Sequence, residues 1–370
     1  MNLSYWEIKS WLTNIDFTIV GSGIVGLSCA LHLKERYPKT KILILEKGIL
    51  PQGASTKNAG FACFGSLSEI IEDLKTHTEQ EVVELIQKRI DGLHLLRQTL
   101  GDKNMDYQQF GGYELFSKND DLFETCFAKK DSINQLLKPV IKDQVFRLKE
   151  NSFNFKNIKN QYIFNAFEGQ LDTGKMMEAL LKKAQSKGIK VLNNIKVERF
   201  SEEQESVKIL TNQFEVSTSK LLLATNGFAL ELNIQDVKPA RAQILITKPI
   251  KNLHIKGTFH LDKGYYYFRN IDDRILFGGG RHLDFKTEET TVFAETSLIQ
   301  NKLEELLKTT ILPKTHFEIE HRWSGIMGIG NQKKALVKPL SSHVFCGVRL
   351  GGMGVAIGSL IGKELAELID

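Results

Sequence analysis

The chain has 370 residues, 42% hydrophobic and 25% charged, with a net charge of +5 and a pI near 8.8. That length supports two domains sharing a large interior, and the composition is ordinary for a globular protein. No run of five like charges argues for a nucleic-acid surface, and no apolar stretch is long enough to span a bilayer.

Residues 1–15 (MNLSYWEIKSWLTNI) are polar and lack the apolar core of a secretory signal. Trp6, Ile8 and Trp11 are expected to dock this segment on the folded body. Cys29, Cys63, Cys126 and Cys346 are scattered, with no C-x-x-C pair. Neither disulfides nor a metal site is expected, and a cytoplasmic location is the simplest reading.

Residues 16–46 (DFTIVGSGIVGLSCALHLKERYPKTKILILE) carry the strongest local signal. Phe17, Ile19 and Val20 read as a buried parallel strand. Gly21, Gly23 and Gly26 follow at G-x-G-x-x-G spacing. The first glycine permits the tight turn, the second lets a pyrophosphate approach the backbone, and the third lets helix pack on strand. Residues 27–36 read as that helix, with its N-terminal N–H groups aimed at phosphate, and Pro38 ends it. A second strand at 41–45 places Glu46 where an acid that bonds ribose hydroxyls is expected. Ile24, Val25 and Lys47 join the same set of expected cofactor contacts. The fingerprint by itself does not choose between NAD and FAD.

Residues 49–64 (ILPQGASTKNAGFACF) are small, polar and glycine-rich where a nicotinamide Rossmann unit would continue into a helix. Backbone of that kind suits passage along a long, flat cofactor. Together GSGIVG, LEKG and GASTKNAGF resemble the amino-terminal signature of the D-amino-acid oxidase superfamily of FAD enzymes. That superfamily includes glycine, sarcosine and gamma-glutamylputrescine oxidases. The resemblance implies that Ala54, Ser55, Thr56, Asn58, Ala59, Gly60 and Phe61 lie beside the flavin, with Lys57 keeping a positive charge where relatives often have arginine.

Residues 67–100 have helical period and read as packing in a surface helix pair, with His77 and His94 solvated or partly packed. A strand at 112–117 and a polar helix follow. Another strand at 162–167 precedes a helix over 173–187, capped by Gly188, and a strand at 189–195. The resemblance implies that Val197 offers its backbone to the adenine.

Strands are expected at 214–216 and 220–223. Ala224, Thr225 and Gly227 then resemble the family's Ala-Thr-Gly turn beside the cofactor, with Asn226 as an insertion-like departure. Residues 239–243 (PARAQ) resemble the entry into the substrate sheet, and Arg241 reads either as an ion-pair partner or as a substrate contact. Residues 264–280 (GYYYFRNIDDRILFGGG) read as a hairpin. Tyr265, Tyr267 and Arg269 share one face, Tyr266 and Phe268 the other. The stretch resembles gamma-glutamylputrescine oxidase relatives, which implies that one tyrosine face looks into the substrate cavity; plain sheet packing is the competing reading. Arg281 and His282 follow, where a strand end delivers them toward the flavin.

An amphipathic helix at 293–308 and a strand at 317–323 lead to Trp323-Ser324-Gly325, resembling the family's Trp-x-Gly turn. Glycine oxidase relatives place a carboxylate-clamping arginine just after it; Ile326, Met327 and Gly328 offer none. The covalent-flavin cysteine of sarcosine oxidase relatives is also missing, so non-covalent FAD is expected. A strand at 344–348 precedes Gly351, Gly352, Met353, Gly354 and Val355, which the resemblance sets against the flavin pyrimidine edge at the start of the last helix.

The expected fold is α/β: a discontinuous Rossmann-like FAD domain over 1–85, 150–235 and 320–370, of glutathione-reductase type. A substrate domain with a mostly antiparallel sheet takes 86–149 and 236–319. The implied reaction oxidises the C–N bond of an amine or amino acid by hydride transfer to flavin N5. The imine is then hydrolysed, and O2 serves as acceptor and yields H2O2. Tyr265, Tyr267, Arg281 and Lys57 are the candidate catalytic residues, with Lys57, Arg281 or Arg349 supplying positive charge for oxygen. Two alternatives stay open: a same-fold dehydrogenase feeding a quinone or carrier, and an FAD-dependent tRNA-modification factor supported only by the mild basic charge.

Overall fold

The computed structural model describes residues 2–369. Two eight-stranded sheets carry the fold. In the first, Val344–Val348, Glu215–Leu223, Ile15–Val20, Ile42–Leu45 and Lys190–Leu192 lie side by side and parallel. Leu336–Pro339 closes one edge antiparallel, and the hairpin Val197–Glu202/Val207–Thr211 pairs onto Glu215–Leu223. The central strands are apolar because both faces are covered: all four residues of Ile42–Leu45 are buried.

Helices Ile24–Arg36, Gly354–Glu367 and Glu79–Leu100 interlock against one face. Glycines make that approach possible. A Cβ at Gly362 would lie 2.6 Å from the Val25 carbonyl oxygen, and one at Gly92 would lie 2.3 Å from that of Ala356.

The second sheet runs Ile319–Ile329, Lys238–Thr247, Arg274–Gly279, Tyr266–Ile271, Thr258–Leu261, Gly112–Leu115, Gln161–Asn165, Phe146–Glu150. It is antiparallel except where Thr258–Leu261 meets Gly112–Leu115. Alternation along these strands separates its two faces. Phe259 and Phe268 stack at 4.5 Å within an aromatic core that also holds Tyr113, Phe155, Tyr162 and Phe277. Ser297–Leu306 packs against that core through Ile299 and Leu303. The opposite face looks toward the first sheet's strand ends.

The helical period of 67–100 is carried by a pair of helices, Leu67–Asp73 and Glu79–Leu100, each opened by a capping box, Ser66/Glu69 and Thr78/Glu81. Other sequence expectations need correction. The strands expected at 214–216 and 220–223 are one, Glu215–Leu223. Its first half pairs with Val207–Thr211 and its second with Ile15–Val20 and Val344–Val348, so the ladder runs through the polar interruption. Phe146–Glu150 is an additional strand. Trp323, Ser324 and Gly325 do not turn; they continue in the strand Ile319–Ile329, paired with Ile244, Gln243 and Ala242. That strand, and Gln161–Asn165, pair in the second sheet although both fall in stretches expected in the cofactor domain. Trp6, Ile8 and Trp11 do not dock by burial: they are 70%, 42% and 38% exposed.

Candidate functional site

The strand Ile15–Val20 ends at Gly21, whose φ of +104° makes the turn that a side chain would strain. The helix beginning at Ile24 then points its N-terminus across the sheet's C-terminal edge. A Cβ on Gly26 would lie 2.0 Å from the Gly21 carbonyl oxygen, so this glycine serves the strand–helix packing. At the next strand end, buried Glu46 accepts from Ser22 N at 3.0 Å, Ser22 Oγ at 2.8 Å and Gly48 N at 3.0 Å. These donors hold the carboxylate beside the glycine turn.

A cavity of about 750 Å³ opens along this edge and continues beneath the second sheet. Its size lies in the upper part of the range for ligand pockets, on the order of 300–1,000 Å³. Gly21, Gly23, Ile24, Val25, Glu46, Lys47 and Val197 line one end. Lys47 sits 3.3 Å above the Phe228 ring and 3.3 Å from Glu231, and burial lowers its pKa.

The loop after Glu46 forms the short helix Ala54–Lys57 and the strand Phe61–Ala62, which pairs with Gly169–Gln170. Ala54, Ser55, Lys57, Asn58, Ala59 and Phe61 line the cavity. Two roof residues fasten this loop. Trp323 Nε1 donates to the Lys57 carbonyl at 3.0 Å, and buried Arg269 donates to the carbonyls of Ala59 and, at 2.9 Å, Leu171. Arg269 therefore supports the wall and does not reach the cavity.

Ala224, Thr225, Gly227, Gly325, Gly351, Gly352, Met353, Gly354 and Val355 complete the lining from the middle and end of the chain. Asn226 joins them: its Oδ1 accepts from Leu350 N at 3.2 Å, and its left-handed backbone (φ 44°) suits asparagine. What looked like an insertion is a tie between two cavity loops.

The roof contributes Ala242, Ile244, His260, Tyr265, Tyr267 and Arg281. Tyr267 packs edge-on to Phe61 at 5.6 Å, and burial pushes its phenol up to about 12, so it stays a neutral donor. Tyr266 turns to the other face and is buried, as the alternation requires. Arg281 is the arginine in the cavity wall. It lies 4.7 Å over the Phe285 ring, makes no ion pair among the described residues, and burial lowers its pKa.

Not every expected residue reaches the cavity. Gly26, Thr56 and Gly60 lie behind the wall. Thr56 Oγ1 donates to the Pro51 carbonyl at 2.6 Å, and Gly60 (φ +72°) pairs with Leu171. Arg349 directs its guanidinium at the Lys334 and Asp236 carbonyls and is not part of the cavity lining. His282 faces Asp262 at 3.2 Å instead of the cavity. Arg241 is an ion-pair partner: Nε and Nη2 bond Glu288 at 2.8 and 2.7 Å in a buried fork. His77 is partly packed, one of the two readings open for it, and lies in the cavity lining.

One further grouping was not legible in the sequence. Cys63, Glu168 and His260, all buried, bring their ligand-type atoms within 4.8 Å of one another. His260 Nε2 bonds Glu168 Oε2 at 2.9 Å. The three residues are spaced about a hundred positions apart at each step, so only strand register unites them.

The wall fits FAD by two observations. Thr225 lines the cavity, and its covered Oγ1 is an orphaned polar atom with no protein partner in the cavity wall. At Gly53 and Gly351 an added Cβ would meet nothing within 4 Å, and at Gly352 and Gly354 its nearest contacts would be 3.9 and 3.8 Å. Bare backbone therefore faces open space at both ends of the chain, as a cradle for a cofactor requires.

Comparison with known proteins agrees with this geometry. The family model described as FAD dependent oxidoreductase (DAO) matches residues 16–368. The probable oxidoreductase OrdL of Haemophilus influenzae is 23% identical over 97% of this chain and 83% of its own length. Among solved structures, L-proline dehydrogenase from P. horikoshii superposes with a TM-score of 0.75 at 18% identity, covering 96% of this chain and 93% of that one. Glycine oxidase from Bacillus cereus gives 0.73 at 17% identity, covering 96% and 94%. With the model spanning almost the whole sequence, the chain belongs to the DAO family of FAD-dependent oxidoreductases.

Proposed function

We propose that this protein oxidises the C–N bond of a small amine or amino acid, using non-covalently bound FAD and O2. The observation that carries the reading is the continuous cavity. One end has the Gly21–Gly26 turn and Glu46; the other has Tyr265, Tyr267 and Arg281 under an antiparallel roof. The proposed cofactor domain comprises 1–85, 150–235 and 320–370, with the roof from 86–149 and 236–319 plus the two strands noted above.

FAD, when bound, supplies the hydride acceptor and passes the electrons to the final oxidant. The chain's residues hold it. Gly21, Gly23, Ile24, Val25, Ser55 and the amides at 351–355 would surround its phosphates and ring edge, while Glu46 would meet a ribose and Val197 the adenine. The helix starting at Gly354 would favour negative charge on the cofactor through its N-terminal dipole.

Tyr267 and Tyr265 bound the substrate end. A buried, largely apolar pocket disfavours an ammonium, so substrate nitrogen loses its proton more readily there. Lys57 and Arg281 supply positive charge that would favour peroxide formation. A dehydrogenase reading has one specific support, the name of the L-proline dehydrogenase neighbour.

One experiment tests both. Purified holoprotein is mixed under argon with a panel of amines and amino acids, and the visible flavin band is followed before air is admitted. Bleaching by a panel member, then rapid return of colour with peroxide, is the expected result. Bleaching with slow return, accelerated by a quinone, favours the dehydrogenase. A protein that takes up no FAD overturns the reading.

A further inference from the structure

Sheet register sets Tyr267 opposite His260, and His260 opposite Glu114. His260 is 6% exposed, lines the cavity, and packs edge-on to Phe61 at 5.3 Å. Its Nε2 is committed to Glu168 Oε2, which also accepts from Thr258 Oγ1 at 2.9 Å. Glu168 is buried outside the cavity lining, in space left by Gly112: a Cβ there would lie 2.1 Å from the same oxygen. Nδ1 has no hydrogen-bond partner among the described residues, and His260 itself lines the cavity.

The charges around the ring decide its state. Burial opposes protonation, but the charge and hydrogen bond of Glu168, backed by Glu69 and Glu114, outweigh it and lift the imidazole to about 9. Glu114 is bonded by Ser66 Oγ at 2.9 Å, Ser68 N at 3.2 Å and Ser68 Oγ, and burial pushes its carboxyl up. Glu69 accepts from Ser66 N at 3.1 Å. Burial, reinforced by Glu168 and Glu69, keeps the Cys63 thiol neutral, and Tyr267 is neutral as well. His260 is thus a buried imidazolium in the cavity wall, with one N–H fixed from behind by Glu168 and the other without a protein acceptor among the described residues. A charged donor in such a position takes an anionic oxygen from a ligand.

We propose that Nδ1–H of His260 anchors the carboxylate of the substrate, which makes the substrate class amino acids and not simple amines. The inference rests on the oxidoreductase reading above. It also accounts for the missing arginine after Gly325: the anchor comes from the neighbouring roof strand Thr258–Leu261, and Glu168 and Thr258 act as its positioning residues.

The test titrates the flavin-loaded protein with acetate, propionate and benzoate, which lack the oxidisable nitrogen, and reads binding from the visible flavin band. In the wild type, Kd is expected to be constant below about pH 9 and to weaken by about tenfold per unit above it, as the imidazolium loses its proton. His260→Gln is expected to raise Kd at least about tenfold and abolish that pH limb, with the flavin content unchanged. Acetamide binding should differ little between the two proteins. A carboxylate Kd that is flat from pH 7 to 10 in the wild type overturns the anchor without needing any variant. So does a His260→Gln protein that binds carboxylates as before, or one whose unliganded flavin band is altered while carboxylate affinity stays the same. Failure to take up FAD would instead overturn the underlying oxidoreductase reading, and this one with it.

Discussion

The Arg241 guanidinium and the Glu288 carboxylate form a two-pronged pair, 2.8 and 2.7 Å long, sealed inside the roof. Gln243 Nε2 donates to the same Glu288 oxygen at 3.0 Å and its Oε1 accepts from Thr296 N at 2.9 Å, so the pair ties the strand Lys238–Thr247 to the segment before Ser297–Leu306. Removing one partner strands a buried charge, which costs about 3–5 kcal/mol. Arg241→Met or Glu288→Gln should therefore unfold at a markedly lower denaturant midpoint. The double variant Arg241→Met/Glu288→Met should recover much of the loss. Substrate KM in the surviving folded fraction should move little, since neither side chain lines the cavity.

Two glycines separate folding from cofactor binding. Gly26→Ala drives a Cβ into the Gly21 carbonyl, a backbone atom that cannot step aside. A cost of about 1–3 kcal/mol is expected from such overpacking. Gly352→Ala meets only Met327 Sδ, at 3.9 Å, so apoprotein stability should stay within about 0.5 kcal/mol of the parent. Its new methyl projects where bare backbone faces the cavity, and FAD affinity should drop at least tenfold, roughly 1.4 kcal/mol. Thermal melts of the apoproteins and flavin titrations together check the contrast. Equal FAD affinity in parent and Gly352→Ala would remove this amide from the cradle.

Tyr267, Tyr265 and Arg281 make a graded set. Tyr267 and Arg281 are partly buried, Tyr267 against Phe61, whereas Tyr265 is 38% exposed. Single changes to Phe, Phe and Met should each lower kcat/KM by tenfold or more, or about 1.4 kcal/mol of transition-state stabilisation. The largest effect is expected at Tyr267, which packs on Phe61 opposite His260 in the roof. Steady-state rates on the best substrate from the anaerobic panel decide it, and a loss below tenfold removes that residue as a candidate.

How much of this was readable in advance depended on sequence separation. The Gly21–Glu46 unit is local: strand, turn, helix and acid lie within thirty residues, and each has a residue-level cause visible in the sequence. The hairpin Tyr266–Ile271/Arg274–Gly279 was legible for the same reason, since its alternation fixes which tyrosines share a face. Helix breaks were legible in principle, because Ser66-x-x-Glu69 and Thr78-x-x-Glu81 are capping boxes inside an otherwise continuous helical period. The roof ties and the Cys63–Glu168–His260 grouping were not. They depend on which strands neighbour one another and in what register, and period-2 patterning says only which face a residue occupies. Resemblance carried the cofactor loops, yet could not show that Arg349 and His282 turn away from the cavity, because their partners, Asp236 and Asp262, are distant in sequence and are brought to them only by the fold.

The buried His260–Glu168 pair also predicts how stability depends on pH. The imidazole binds its proton more tightly in the folded chain, at about 9, than the ordinary value of 6.5 in the unfolded one. Between those values the folded state holds more protons than the unfolded state, so this group's contribution declines as pH rises. It is fully present below about 6.5 and gone once pH passes about 9. Other buried groups titrate nearby, so the comparison is between parent and His260→Gln across pH 6 to 10. The stability difference between them should shrink steadily with rising pH. A difference that stays constant over that range would mean the pair is held as a neutral hydrogen bond, and the imidazolium would have to be abandoned.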